Sequence, residues 1–211
     1  GVQRVLLRLR QQRARLQRPV LCALDRLAGD RLIEDMEAHL RTVRAAAQLQ
    51  GVEAASPALR ALAGEAITAR LAALLGYELY VHQPERVAEL HAMRIAAKRL
   101  RYTLEVFAPL YPGELKTPLK TAKALQELLG DIHDCDVWLA RLPRVLEEER
   151  TRALDYLGHT RGLSRLIPGL HALEADRRAV RDARYREFTA AWTKTLAVWR
   201  ELMEIVKMDG E

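Results

Sequence analysis

Residues 90–105 read LHAMRIAAKRLRYTLE. Laid out at about 100° per residue, Met93, Ala97, Leu100, Leu104 and, just beyond, Phe107 fall on one side of a helix. His91, Arg94, Lys98, Arg101, Tyr102 and Glu105 share a stripe on the other side. The partition predicts an amphipathic helix whose polar face is strongly cationic. Arg94, Lys98 and Arg101 repel one another on successive turns, and only Glu105 offers a counter-charge on that stripe. An anionic ligand would relieve the repulsion.

Outward from this helix the same periodicity continues in both directions. Val5, Leu6, Leu9, Leu16 and Val20 are spaced among Arg4, Arg8, Arg13 and Arg15, with Pro19 expected to interrupt or redirect the segment. Gly29-Asp30 predicts a bend. A second apolar series, Leu32, Ile33, Met36, Leu40 and Val43, should end at Gln50-Gly51, giving a loop over residues 50–56. Ser56-Pro57 reads as an N-cap followed by proline in the first turn of a helix reaching Tyr80. His82-Gln83-Pro84 predicts a turn with Pro84 opening the next helix, which runs to Phe107. The breakers Ala108 to Gly113 make a tight connection to a helix from near Thr117-Pro118 to Leu142, where Pro143 intervenes. Helices over 144–159 and 173–208 should follow, around a connector at 162–169.

Composition agrees with this reading. The chain has 211 residues, 49% apolar and 29% charged, rich in Ala, Leu, Arg and Glu and without runs of Val, Ile and Thr. It suits a globular all-α protein of antiparallel helical bundles. A formal charge of +6 favours phosphate-rich partners or anionic surfaces. Cys22 and Cys135 stand alone, without the spacing of a disulfide framework or zinc site, which fits a reducing, cytoplasmic setting. No uncharged apolar run approaches the roughly 18 residues of a membrane span.

Basic residues ordinarily sit in water on a solvated helix face. The following helix argues for more than that. Lys116, Lys120 and Lys123 also align at helical spacing and can face the first stripe across the Pro-Gly turn. Ammonium groups and forked guanidinium groups together can grip successive phosphates of a flexible chain without reading any base.

Two segments carry a resemblance. His91-Ala-Met-Arg94-Ile-Ala-Ala-Lys98-Arg99-Leu100-Arg101-Tyr102 and, at a plausible separation, residues 125–137 (LQELLGDIHDCDV) are similar to the second half of the CHAD domain, the conserved histidine α-helical domain. The resemblance is good over residues 57–142 and loose elsewhere. It implies two pseudo-symmetric helical bundles enclosing a basic cavity that binds inorganic polyphosphate, a binding module and not an enzyme. Position by position, it implies that His91, Arg94, Lys98, Arg99 and Arg101 meet phosphate. Tyr102 either donates a hydrogen bond or packs. Of the second motif, Gln126, Asp134 and Asp136 would support the basic residues from behind, since a carboxylate repels a polyanion but orients a guanidinium well. Asp134 is expected to anchor a cation of the basic helix.

The family's first half ordinarily carries a related His-to-Arg motif, and none precedes residue 57. Residues 1–50 read as remaining helices of a first half, and 57–208 as the second bundle. With Gly1 rather than Met at the start, the expectation is a longer protein or a cavity completed through another chain. On the last helix, Arg177, Arg181 and Arg184 continue into Phe188, Trp192 and Trp199. Arg181 and Arg184 then either point toward the space faced by Lys98 or form an exposed cluster. Arg4 and Arg8 read more simply as a solvated face.

The first functional expectation is polyphosphate binding, with targeting to polyphosphate granules in the cytoplasm and no cofactor or metal. General nucleic-acid binding ranks second, because aromatic stacking platforms and a groove-reading motif are missing. Third comes a helical metal-dependent phosphohydrolase suggested by His133-Asp134. It lacks further ligands, and its surroundings of Lys and Arg oppose a cation. No membrane partner is expected, and the oligomeric state stays open.

Overall fold

A computed structural model describes residues 1–49 and 56–207. It contains six α-helices and no strand among the described residues. They are α1 (Val2–Gly29), α2 (Leu32–Leu49), α3 (Pro57–Leu75), α4 (Val87–Phe107), α5 (Lys116–Leu157) and α6 (Ile167–Lys207). Short 3-10 turns cover Glu78–Tyr80, Ala108–Leu110 and Leu163–Arg165. The expected loop at 50–56 lies outside the described residues except for Ser56, whose side chain caps α3 by accepting a hydrogen bond from the Leu59 amide at 3.3 Å.

Several boundaries differ from the sequence reading, each for a local reason. Neither Pro19 nor Pro143 ends its helix. Both are exposed, so water can meet the carbonyl that loses its donor, and the kink cost of proline is borne by a long helix on both sides. α3 stops at Leu75 because the chain turns at Gly76, and α4 begins at Val87, three residues after Pro84. α6 starts at Ile167, inside the expected connector. The Gly29-Asp30 bend is present, with Arg31 taking the left-handed conformation (φ 51°). Gly113, at φ 90°, occupies a backbone region that favours glycine in the connection to α5.

The chain divides into two compact units, Gly1–Ala54 with Glu148–Leu170, and Ala55–Glu147 with His171–Glu211. Residues 148–170 therefore group with the N-terminal helices and not with the 57–208 bundle expected from sequence. In the first unit Val5 and Leu170 are the buried apolar residues among those described, while Leu16, Val20, Leu24, Ile33, Met36 and Leu40 remain exposed. What ties this unit together is polar. Glu149, only 4% exposed, accepts hydrogen bonds from Arg8 and, at 3.2 and 2.9 Å, from Arg4 and Arg152. Burial alone would raise the Glu149 carboxyl, but the Arg8 bond and then the Arg152 bond hold it below its ordinary value.

The second unit holds the core. Ile67, Leu71 and Leu74 of α3, Met93, Leu100 and Leu104 of α4, Leu125 and Leu129 of α5, and Phe188, Trp199 and Leu202 of α6 are at most 2% exposed and form one cluster. Each such side chain contributes about 1.5–3 kcal/mol of burial. The helices approach closely where side chains are small. A Cβ at Gly64 would lie 3.2 Å from the Val206 carbonyl oxygen.

Candidate functional site

The rotation of α4 read from the sequence is the observed one. Met93, Ala97, Leu100 and Leu104 are fully buried, leaving the cationic stripe outside the core. α5 supplies the opposite wall. The rings of His91 and His133 stack with centroids 3.9 Å apart and planes 28° apart. One turn further along α4 and one turn back along α5, Arg94 Nε stands 3.4 Å from where a Cβ on Gly130 would be. The two helices are thus antiparallel neighbours, and continuing their register sets Lys98 beside Gln126 and Arg101 beside Lys123. A glycine inside a helix costs about 0.5–1 kcal/mol relative to alanine. At position 130 an added Cβ would just touch the Arg94 side chain.

This seam holds most of the buried polar atoms that lack a partner. His91 Nδ1, His133 Nδ1, Arg94 Nε and Gln126 Oε1 are buried without a hydrogen bond, and Arg101 Nε, also buried, has an ion pair with Glu105 but no hydrogen bond; elsewhere among the described residues the indole nitrogens of Trp192 and Trp199 are buried without a hydrogen bond. Leaving a buried donor or acceptor unmatched costs about 1–3 kcal/mol, so their concentration in one seam makes it the candidate site. Burial first, then the neighbouring His133 and Arg94, pulls the His91 imidazole below its ordinary pKa. Protonating it therefore calls for a negative charge nearby.

The remaining expected residues fall into distinct groups. Tyr102 is 45% exposed, with the Arg101 guanidinium 4.6 Å and Lys98 Nζ 5.6 Å from its ring centroid. It holds two cations side by side through its ring face. Arg101 lies 3.4 Å from Glu105, and Lys123 4.0 Å from Glu127, each along its own helix. Lys116, Lys120 and Lys123 of α5 are exposed. Arg99 is not on the stripe. It sits about 140° around α4 from Arg94 and lines a cavity on the α3 side.

Arg181 and Arg184 do not join the seam. Arg181, 12% exposed, is bound to Asp136, 10% exposed, and donates to the Pro84 carbonyl at 2.7 Å. Arg184 pairs with Asp131 at 3.1 Å and Glu187 at 2.7 Å. Asp136 lies about 120° around α5 from Gly130 in one direction and Asp131 about 100° in the other, so both pairs flank the seam. They fasten α6 to α5, and the Tyr185 hydroxyl, donating to the Val81 carbonyl at 2.7 Å, ties α6 to the connection before α4. Asp136 thus holds an arginine as expected, although one from α6. Asp134 is exposed and makes no hydrogen bond or ion pair, which removes its expected anchoring of the basic helix. Two residues on from it, Asp136 points to a different side of α5.

His133, set aside in the sequence as half of a metal dyad, lines the seam through its stack on His91. The signal for it was the series Gln126, Gly130 and His133 on one face of α5. No cluster of three or more His, Cys, Asp or Glu able to hold a metal occurs among the described residues. No helix among them is long and apolar enough to cross a membrane.

The CHAD domain model matches residues 1–143 of the chain. The match includes α1 and α2, where the resemblance looked loose, and it stops at Pro143, leaving residues 144–211 of the expected second bundle outside it. No curated protein and no solved structure matches.

Proposed function

Because the chain belongs to the CHAD domain family, we propose that the α4–α5 seam binds inorganic polyphosphate and that the protein is a binding module and not a catalyst. The observation that carries this reading is the pair of buried, unpartnered nitrogens in the seam, His91 Nδ1 and Arg94 Nε, beside the half-buried Lys98 and the exposed Lys123. A chain of phosphates supplies acceptors at each turn of such a seam. The family's association with polyphosphate-related proteins supports the choice among polyanions. Glu105 and Glu127, paired with Arg101 and Lys123 along their own helices, soften the repulsion between the cations of the seam. In a cell, such a module would reside in the cytoplasm and gather its carrier at polyphosphate granules.

Binding through Arg94, Lys98, Arg101 and Lys123 should release counterions. With about four contacts to a flexible single chain, affinity should fall roughly fiftyfold between 50 and 200 mM salt. The test is a titration of long-chain polyphosphate, single-stranded DNA and RNA against the protein at both salt concentrations. A preference for polyphosphate with that steep dependence is the expected result. Equal affinity for all three would replace the reading with general polyanion or nucleic-acid binding.

A further inference from the structure

α4 carries cations on two sides, and only one side faces α5. On the other, Arg99 of α4 and Arg70 of α3 line a cavity of about 350 Å³ whose remaining walls are Ala73, Ala92, Ile95, Ala96, Tyr77 and the edge of His91. No acidic side chain lines it. Neither arginine has a hydrogen bond or ion pair among the described residues. Arg181 and Arg184 of the same unit are matched to carboxylates, whereas here two unmatched guanidinium groups line one small cavity.

The cavity is two-sided in character. Its cations come as two forked groups, suited to grip one phosphate at several oxygens. The rest is alanine, isoleucine and a tyrosine, against which a second or third phosphate would be desolvated without a partner. A charged polymer does not suit such walls, and a volume of this size lies at the lower end for small-ligand sites. A ligand with one phosphate and a flat apolar body satisfies both halves.

We propose that the cavity between α3 and α4 binds a small phosphomonoester of the nucleoside monophosphate class, its phosphate held between Arg70 and Arg99 and its ring against Ala73, Ala92 and Ile95 beside Tyr77. The site is separate from the α4–α5 seam and does not depend on what the seam binds. His91 is the one side chain common to both, since it edges this cavity and stacks on His133 in the seam.

Calorimetric titration with adenosine 5′-monophosphate, adenosine and inorganic phosphate tests it. The monophosphate should bind saturably, and each of its two parts at least about tenfold more weakly, because each leaves half of the cavity unmet. Arg70 is exposed on α3, so Arg70→Ala should fold normally. It should lower monophosphate affinity about tenfold, the scale of one lost charge-assisted contact, and change long-chain polyphosphate binding less than about twofold. Lys98→Ala should leave monophosphate binding intact. No saturable binding up to about 10 mM, phosphate binding as tightly as the nucleotide, or unchanged nucleotide affinity in Arg70→Ala would overturn the proposal. So would a parallel loss of polyphosphate binding in Arg70→Ala, which would make the cavity part of the polyanion site. If the protein fails to bind polyphosphate at all, the nucleotide titrations still decide this inference.

Discussion

Two aspartates two residues apart on α5 should respond oppositely to the same substitution. Asp136 is 10% exposed and holds Arg181, itself 12% exposed, while Asp134 is exposed and touches no cation. Asp136→Asn removes the charge that balances a nearly buried guanidinium. Breaking a buried pair from one side costs about 3–5 kcal/mol, and because asparagine still offers an acceptor we expect about 2–4. For a chain of this size that lowers the melting temperature by roughly 5–15 °C. Asp134→Asn should leave melting within about 0.5 kcal/mol of the parent, as surface changes do. Its effect is on binding. A carboxylate about 10 Å from a ligand phosphate repels it by about 0.4 kcal/mol in water before screening, so removing it should tighten polyphosphate binding by at most about twofold. Differential scanning calorimetry and isothermal titration of both variants in one buffer measure the two effects. Weaker binding in Asp134→Asn would restore the anchoring role expected from sequence, and wild-type melting in Asp136→Asn would refute the Arg181 clamp.

Three further outcomes follow from the same geometry. Leu100→Ala should cost about 2–5 kcal/mol in denaturant unfolding, since Leu100 is fully buried in the core cluster; a negligible change would mean α4 is rotated from its described position. Glu149→Gln leaves Arg4, Arg8 and Arg152 without their shared carboxylate, and because those arginines are 25–44% exposed the expected loss is about 1–3 kcal/mol. Faster hydrogen exchange over residues 2–10, with the α3 and α4 amides unaffected, is the signature, and uniform protection across the chain would contradict it. His91 has a folded-state pKa below its unfolded value near 6.5, so stability it confers is present above that value and is lost as pH falls through and below it. Melting measured at pH 7.5 and 5.5 should show a smaller drop in His91→Gln than in the parent, and bound polyphosphate should reduce the parent's drop. An identical drop in both proteins would remove His91 from the titrating groups.

By itself the sequence determined what depends on neighbours three and four residues apart. The helical class, the Ser56-Pro57 start of α3, the breaker between α4 and α5, and the rotation of α4 with Leu100 inward and Lys98 outward all follow from the 3.6-residue period and from capping chemistry. The cationic stripe is therefore a property of the sequence, and the two long motifs were enough to place the chain in its family. The prolines misled because exposure on a long helix, which no local rule encodes, lets Pro19 and Pro143 be tolerated.

Tertiary structure decided which cations remain available. Arg181 and Arg184 look as basic in sequence as Arg94 does, yet the fit of α6 on α5 gives them Asp136 and Asp131 while the α4–α5 register sets Arg94 beside Gly130. The stacking of His91 on His133 and the turning of Arg99 toward the α3 cavity are likewise products of interhelical position. The physical reason is that a helix fixes the direction of each side chain about its own axis. The partner each side chain meets depends on the register and crossing of helices distant in sequence, which the whole core sets together.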